Sequence, residues 1–283
     1  MRVLILGGGG FLGRTMFSYL KSFKDIELVC GDVLDPEIAH VKFSYIDILD
    51  STSSASIKNQ FDTIINCTGQ VTTPINTCYK LNSLGIDNII SSVRQTDTKL
   101  VHISSVSIYG SCSIADEQTA FNPETPYSTC KAYSEYLLSS KLNPNQLTIV
   151  RLSNLYGQGQ NKGILSYLIK SYKSDRELHF NNDGSLVRYY LNVEDCVTNL
   201  AKFFLDRNNF ISGVYNLLGN DRYTVIELIN LVERITKIEF LKHFDPIKPY
   251  DNTIIVQDEA IKNKLQVELS HSLEAYLNSR ISV

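Results

Sequence analysis

Tyr127 and Lys131 stand four residues apart in Tyr127-Ser128-Thr129-Cys130-Lys131, just after Pro123 and Pro126. On a helix, that spacing projects both side chains from one face. A phenol with an ordinary pKa of ~10 exchanges protons near neutrality only if its surroundings lower that value by about three units, roughly 4 kcal/mol. A neighbouring ammonium and a positively charged nicotinamide can do so. The spacing alone carries little weight, because 16 tyrosines and 17 lysines in 283 residues make one such pair an expected coincidence. Its weight comes from Ser105, 22 residues upstream in Ser104-Ser105-Val106-Ser107-Ile108-Tyr109-Gly110, at the end of an apolar strand pattern. Ser105 can hydrogen-bond a reacting carbonyl or alcohol oxygen, or it can satisfy local backbone. Lys131 can also hold a nicotinamide ribose.

A second constellation opens the chain. The apolar run Arg2 to Leu6 leads into Gly7-Gly8-Gly9-Gly10-Phe11-Leu12-Gly13, with Gly7, Gly10 and Gly13 three apart. Glycine lets the backbone turn tightly, approach a pyrophosphate and pack the next helix against the strand, while that helix offers free N–H groups to the anion. Asp32 closes the next apolar run, 19 residues beyond Gly13, where a carboxylate can accept hydrogen bonds from an adenosine ribose. A 2'-phosphate would meet its negative charge, and no Arg or Lys follows before Lys42, so NAD is expected rather than NADP. Asp47, ending the third run, reads either as a contact to the adenine edge or as a solvated strand-end acid.

The elements that must position these residues alternate. β-rich runs lie at Arg2 to Leu6, Ile26 to Cys30, Phe43 to Ile46, Thr63 to Asn66, Leu100 to Ile103 and Leu147 to Leu152. Several are apolar at consecutive positions, as strands covered on both faces are. Between them Ile86, Ile89, Ile90 and Val93 form one helical stripe. Ser51 to Ser56 reads as a helix cap and first turn. The alternation predicts an α/β protein, a Rossmann-type doubly wound parallel sheet. After about residue 157 the pattern loosens, with helices expected at Gly163 to Lys173, Val193 to Leu205, Thr224 to Thr236 and Ser270 to Ser279. The expected organisation is a cofactor domain over 1–157 and an interleaved, smaller mixed α/β lobe over 158–283. A helix near 193–206 is expected to pack back on the first.

Composition excludes other classes. With 27 basic and 30 acidic residues, a net charge of -3 and a pI near 6.0, no general positive field exists to hold nucleic acid or an anionic membrane. No apolar run approaches the ~18 to 20 residues that span a bilayer, and Met1 to Leu6 reads as a strand rather than a signal peptide. Six dispersed cysteines without a Cys-x-x-Cys pair suit reduced thiols in the cytoplasm, and the five histidines show no metal-like spacing.

Together these residues resemble the extended short-chain dehydrogenases/reductases of the NAD-dependent epimerase/dehydratase family, which act on nucleoside-diphosphate sugars. The resemblance covers nearly the whole chain. It implies that Gly7, Gly10, Phe11, Leu12 and Gly13 form the cofactor turn, Asp32 the ribose acid, and Asp47-Ile48 the adenine contact. It makes Ser105, Tyr127 and Lys131 the catalytic set. Asn82, Gly85 and Asn88 resemble the family's helix pattern Asn-x-x-Gly-x-x-Asn. Arg151 to Gly157, with Asn154, resembles the segment that reaches nicotinamide and sugar nucleotide, and Gly184 to Arg188 the segment whose Arg grips the diphosphate. A guanidinium fork suits phosphate oxygens. A surface salt bridge for Arg188 and a turn-capping amide for Asn154 are the plainer alternatives. The resemblance also implies a homodimer through helices around 75–95 and 125–141.

Departures narrow the chemistry. Val106 and Ser107 stand where the family's 4,6-dehydratases place Asp-Glu, so elimination of water is not expected. Ser107 also replaces the Cys of its 3,5-epimerase/reductases, and no His lies between His102 and His179. Tyr189 stands where an Asp commonly follows the Arg. What remains is one carbinol, C4 of the hexose. The short second lobe leans toward reduction of a 4-keto sugar, and the NAD-favouring Asp32 toward 4-epimerisation through a transient ketone. A dinucleotide-binding regulator without catalysis is the competing class, and it need not keep Ser105, Tyr127 and Lys131 together. An acyl hydrolase lacks its Gly-x-Ser-x-Gly elbow.

Overall fold

The computed structural model describes residues 1–206, 208–245 and 255–281. Seven parallel strands form the central sheet: β1 (Arg2–Leu6), β2 (Glu27–Asp32), β3 (Lys42–Tyr45), β4 (Thr63–Asn66), β5 (Lys99–Ser105), β7 (Leu147–Leu152) and β11 (Gly213–Leu217). Their order, β11-β7-β5-β4-β1-β2-β3, winds outward in both directions from the border of β1 and β4. Loops leaving those two strands diverge, and the crevice between them is where open parallel sheets take ligands.

Alternation along β1 shows why the run is apolar throughout. Val3 and Ile5 enter a core with Met16 and Phe17 of α1 (Phe11–Leu20) and Val197 and Leu200 of α7 (Val193–Ala201). Leu4 and Leu6 enter the opposite core with Leu137 and Leu138 of α5 (Pro126–Lys141). The stripe Ile86, Ile89, Ile90 and Val93 lies on α4 (Leu84–Val93) and is buried in that second core. The segment expected as one helix from 75 to 95 is broken: α3 (Ile75–Asn82) ends at Ser83, whose φ of -119° and ψ of -84° are not helical. α2 (Ser51–Ala55) is a single turn capped by the Asp50 carboxylate, not by a serine.

Beyond β7 the chain builds a third core. Leu165 and Leu168 of α6 (Gly163–Lys173), Leu228 and Ile229 of α8 (Val225–Thr236), and Leu273 and Leu277 of α10 (Leu273–Ile281) meet there. It is flanked by the sheet β8 (Asn154–Tyr156), β10 (Val187–Asn192), β12 (Asp221–Thr224) and by the pair β9 (Glu177–Phe180), β13 (Leu241–Phe244). A two-residue strand, β6 (Ile114–Ala115), pairs with β14 (Ile255–Val256), and α9 (Glu259–Lys264) packs on β11. α10 begins three residues later than its periodicity predicts, and the Ser270 and His271 N–H groups before it donate to the Asp195 carboxylate. α7 ends at Ala201, earlier than expected, and β11 is a strand the sequence pattern does not announce.

Candidate functional site

Each glycine of the opening turn has its own reason. Gly7 takes φ +70°, and its N–H donates to Gly31 O at 2.9 Å. A Cβ on Gly13 would sit 2.7 Å from Gly8 Cα, so only glycine lets α1 lie this close to the turn. Gly10 differs, since a Cβ there would meet only Gly7 O, at 3.2 Å. It is exposed and begins α1 without a side-chain cap, leaving the amides of Phe11, Leu12 and Gly13 around an open helix end. The Asp32 carboxylate is tied to the same turn, accepting from Gly9 N–H at 2.9 Å and Val33 N–H at 2.8 Å. These residues fit a dinucleotide: an open anion-accepting end beside a fixed carboxylate. Arg14, which sequence reasoning did not single out, donates to Gly9 O at 2.9 Å and Pro36 O at 3.1 Å on the rim of this site. Its signal was its place directly after Gly13.

Asp47 serves its own turn by accepting from Leu49 N–H at 2.8 Å, and it is half-buried. The buried Ile48 presses on Gly85, where a Cβ would come within 2.6 Å of Ile48 Cδ1. Asn88 donates to Ile48 O at 2.8 Å, and Asn82 to Gly69 O at 3.1 Å. The Asn82, Gly85 and Asn88 pattern thus clamps the loops leaving β3 and β4.

Tyr127 lies in the first turn of α5, set by a reciprocal cap between Thr125 and Ser128 and by Pro126. Its hydroxyl donates to Gln70 Oε1 and is hydrogen-bonded to Ser105. Burial pushes the phenol above its ordinary pKa, and the Ser105 bond opposes that. Lys131, 0% exposed, donates to Ile103 O at 2.9 Å and Thr68 O at 3.3 Å. Burial lowers its pKa to about 8, against the upward pull of Cys78, Glu135, Cys67 and Cys130. The expected lowering of the phenol by this ammonium is therefore not present in the chain alone, because Lys131 is spent on backbone carbonyls and desolvation dominates at Tyr127. Gln70 was also missed; its only signal was its place just past the end of β4.

α5 is held from behind. Arg151 pairs with Glu135 at 2.8 Å with both buried, and Ser104 Oγ donates to the same carboxylate. Arg151 also donates to Tyr109 OH at 2.7 Å, and Tyr109 to Asn216 Oδ1 at 2.8 Å. This network joins β5, α5, β7 and β11.

A cleft opens beside Ser105, lined by Ser107, Glu124, Asn154, Arg188 and Val256 among others. Folding thus brings together Ser105, Asn154 and Arg188, while Tyr127 reaches the same place through Ser105. Asn154 is exposed, and the Arg188 guanidinium donates to Val187 O at 2.9 Å. Ser107 Oγ is buried and has no hydrogen-bond partner among the described residues. Glu124 accepts from Ser111 Oγ at 2.8 Å. Glu124 and Val256 had no sequence signal, since their place in the cleft depends on loops meeting across the fold.

Residues 3–217 match the NAD dependent epimerase/dehydratase family. The chain belongs to that family. It is 27% identical over 258 residues to a dTDP-D-glucose 4,6-dehydratase of Dictyostelium discoideum, covering 78% of this chain and 58% of that longer protein. It is 25% identical over 208 residues to a GDP-6-deoxy-D-talose 4-dehydrogenase of Aggregatibacter actinomycetemcomitans, covering 69% and 67%. In fold it is similar to a UDP-glucuronic acid 4-epimerase from Bacillus cereus solved with UDP-glucuronic acid and NAD. The TM-score is 0.87 and the identity 20%, over 100% of this chain and 98% of that one. Among the described residues, no helix is long and apolar enough to cross a membrane.

Proposed function

We propose that this family member uses NADH to reduce a 4-keto nucleoside-diphosphate hexose at C4, releasing NAD. The observation that carries the reading is Ser105, which is hydrogen-bonded to Tyr127 and lines a cleft that also holds Arg188. Gly7 to Gly13 and Asp32 would hold the dinucleotide, with Ile48 beside the adenine and Lys131 at the nicotinamide ribose. Bound there, NADH would supply the hydride that C4 receives. Tyr127 passes a proton to the C4 oxygen, Ser105 hydrogen-bonds that oxygen, Arg188 binds the diphosphate and Asn154 the sugar side. Val106 and Ser107 offer no carboxylate for elimination, so carbinol chemistry is favoured over dehydration.

Transient oxidation for 4-epimerisation is the second reading, favoured by Asp32, whose two backbone bonds pre-form a site suited to retained NAD. The experiment is to extract nicotinamide nucleotide from purified protein and assay UDP-, dTDP-, CDP- and GDP-sugars with and without NADH. Stoichiometric NADH consumption with a 4-keto sugar supports the reductase. Interconversion of C4 epimers without added cofactor supports the epimerase. NAD binding by calorimetry without turnover on any sugar returns the regulator.

Residues 1–157 with α7 would carry the cofactor and the later lobe the sugar nucleotide. Exposed Ile75, Tyr79, Tyr133 and Tyr136 on α3 and α5 support a homodimer through those helices. Light scattering of Tyr136→Glu, set beside the unaltered chain, tests it.

A further inference from the structure

Folding pairs two histidines that sequence spacing keeps far apart. His179 on β9 and His243 on β13 are direct partners in the parallel register, and their rings stack with centroids 4.5 Å apart and planes within 7°. Glu177 projects from the same face of β9 and brings Oε2 to 3.5 Å from His179 Nε2. One ligand atom from each of the three lies within 4.8 Å of the others, and all three residues are exposed. The opposite face anchors these strands: Leu178 is buried, and Phe180 stacks on Phe244 at 5.4 Å.

We propose that Glu177, His179 and His243 form a surface site for a divalent transition-metal ion, Zn²⁺ in the first place. Two imidazoles and one carboxylate are the donor set that borderline-soft ions take, with water completing the shell. Tetrahedral ligation at ~2.0–2.1 Å needs nitrogens roughly 3.3 Å apart. Side-chain rotation supplies that closure while the paired backbone stays in place. The ion would cross-link β9 to β13. Phe244 of β13 packs under the segment leading to Arg188, since a Cβ on Gly184 would lie 2.7 Å from its ring. A bound ion would therefore stiffen one wall of the substrate cleft.

The test uses the tag-free 283-residue protein stripped with EDTA, titrated with zinc chloride by calorimetry at about pH 7.5. One ion per chain is expected, with a raised melting temperature. His179→Ala and His243→Ala should each weaken binding at least tenfold, and Glu177→Gln less. Without metal, these variants should melt with the unaltered chain, since all three side chains are exposed. Unchanged binding in the double histidine variant, or no binding at millimolar zinc, would overturn the site. X-ray absorption adds a readout independent of the variants: nitrogen and oxygen ligation is expected, and sulfur in the first shell would assign the ion to the cysteines.

Discussion

The glycine turn and the cleft beside Ser105 differ in how far apart their parts lie. Gly7 to Gly13 and Asp32 belong to one β1–α1–β2 unit and are shaped by backbone: Gly7 on Gly31, Asp32 on Gly9 and Val33, Gly13 against Gly8. The cleft instead gathers Ser105 from β5, Asn154 from β8, Arg188 from β10 and Val256 from β14. Phosphate can be held by main-chain N–H groups that any sequence supplies once glycines set the turn. A sugar nucleotide is distinguished by side chains, which can change one at a time without disturbing the turn. In the proposed reading Tyr127 acts between the two regions, and substitutions on either side show how separate they are.

The largest effect is expected for Tyr127→Phe, a loss of ~10²–10⁴-fold in turnover with NAD affinity and melting temperature nearly unchanged. Steady-state kinetics and calorimetry check this, and turnover within a factor of two of the unaltered chain would remove the phenol from the chemistry. Next comes Arg188→Ala. A lost charge-assisted contact of roughly 1.5–3 kcal/mol should raise KM for the sugar nucleotide about 10- to 100-fold. NAD affinity should stay put; if it falls equally, the regions are not separable.

Asp32→Asn reverses that pattern. It should weaken NAD about tenfold and narrow discrimination against NADP by removing a like charge, while KM for the sugar holds. Fluorescence titration with both nucleotides reads it.

The smallest effect concerns stability. Lys131 has a folded pKa of about 8 against its ordinary 10.5, so between those values the unfolded chain binds more protons and stability rises with pH. From pH 8 to 9 the gain is about 1 kcal/mol relative to Lys131→Met, read from urea midpoints. Comparison with the variant cancels the cysteines and tyrosines that titrate at higher pH. A difference flat across this range would show that the buried ammonium keeps its ordinary pKa.

The legibility of the chain follows the same division. Consecutive apolar runs placed β1, β4 and β7 residue for residue, and apolar periodicity placed α6. Gly213–Leu217 offers no such run, and it is a strand because β7 lies beside it. The break at Ser83 was hidden because the Asn82 side chain bends back to Gly69, a contact no helical period contains. In the site, Gly13 and Asp32 were legible because their spacing belongs to a single supersecondary unit. Gln70 and Val256 belong to none.

Local periodicity and backbone geometry, which act over a few residues, were enough for the sequence by itself to determine the strand and helix alternation, the glycine turn and the common face of Tyr127 and Lys131. Only the tertiary structure decided that Lys131 spends its charge on the Thr68 and Ile103 carbonyls, and that Arg188 shares a cleft with Val256. It alone stacks His179 on His243. Those contacts join residues distant along the chain, and their proximity depends on strand order and on which faces pack, quantities that no local spacing encodes.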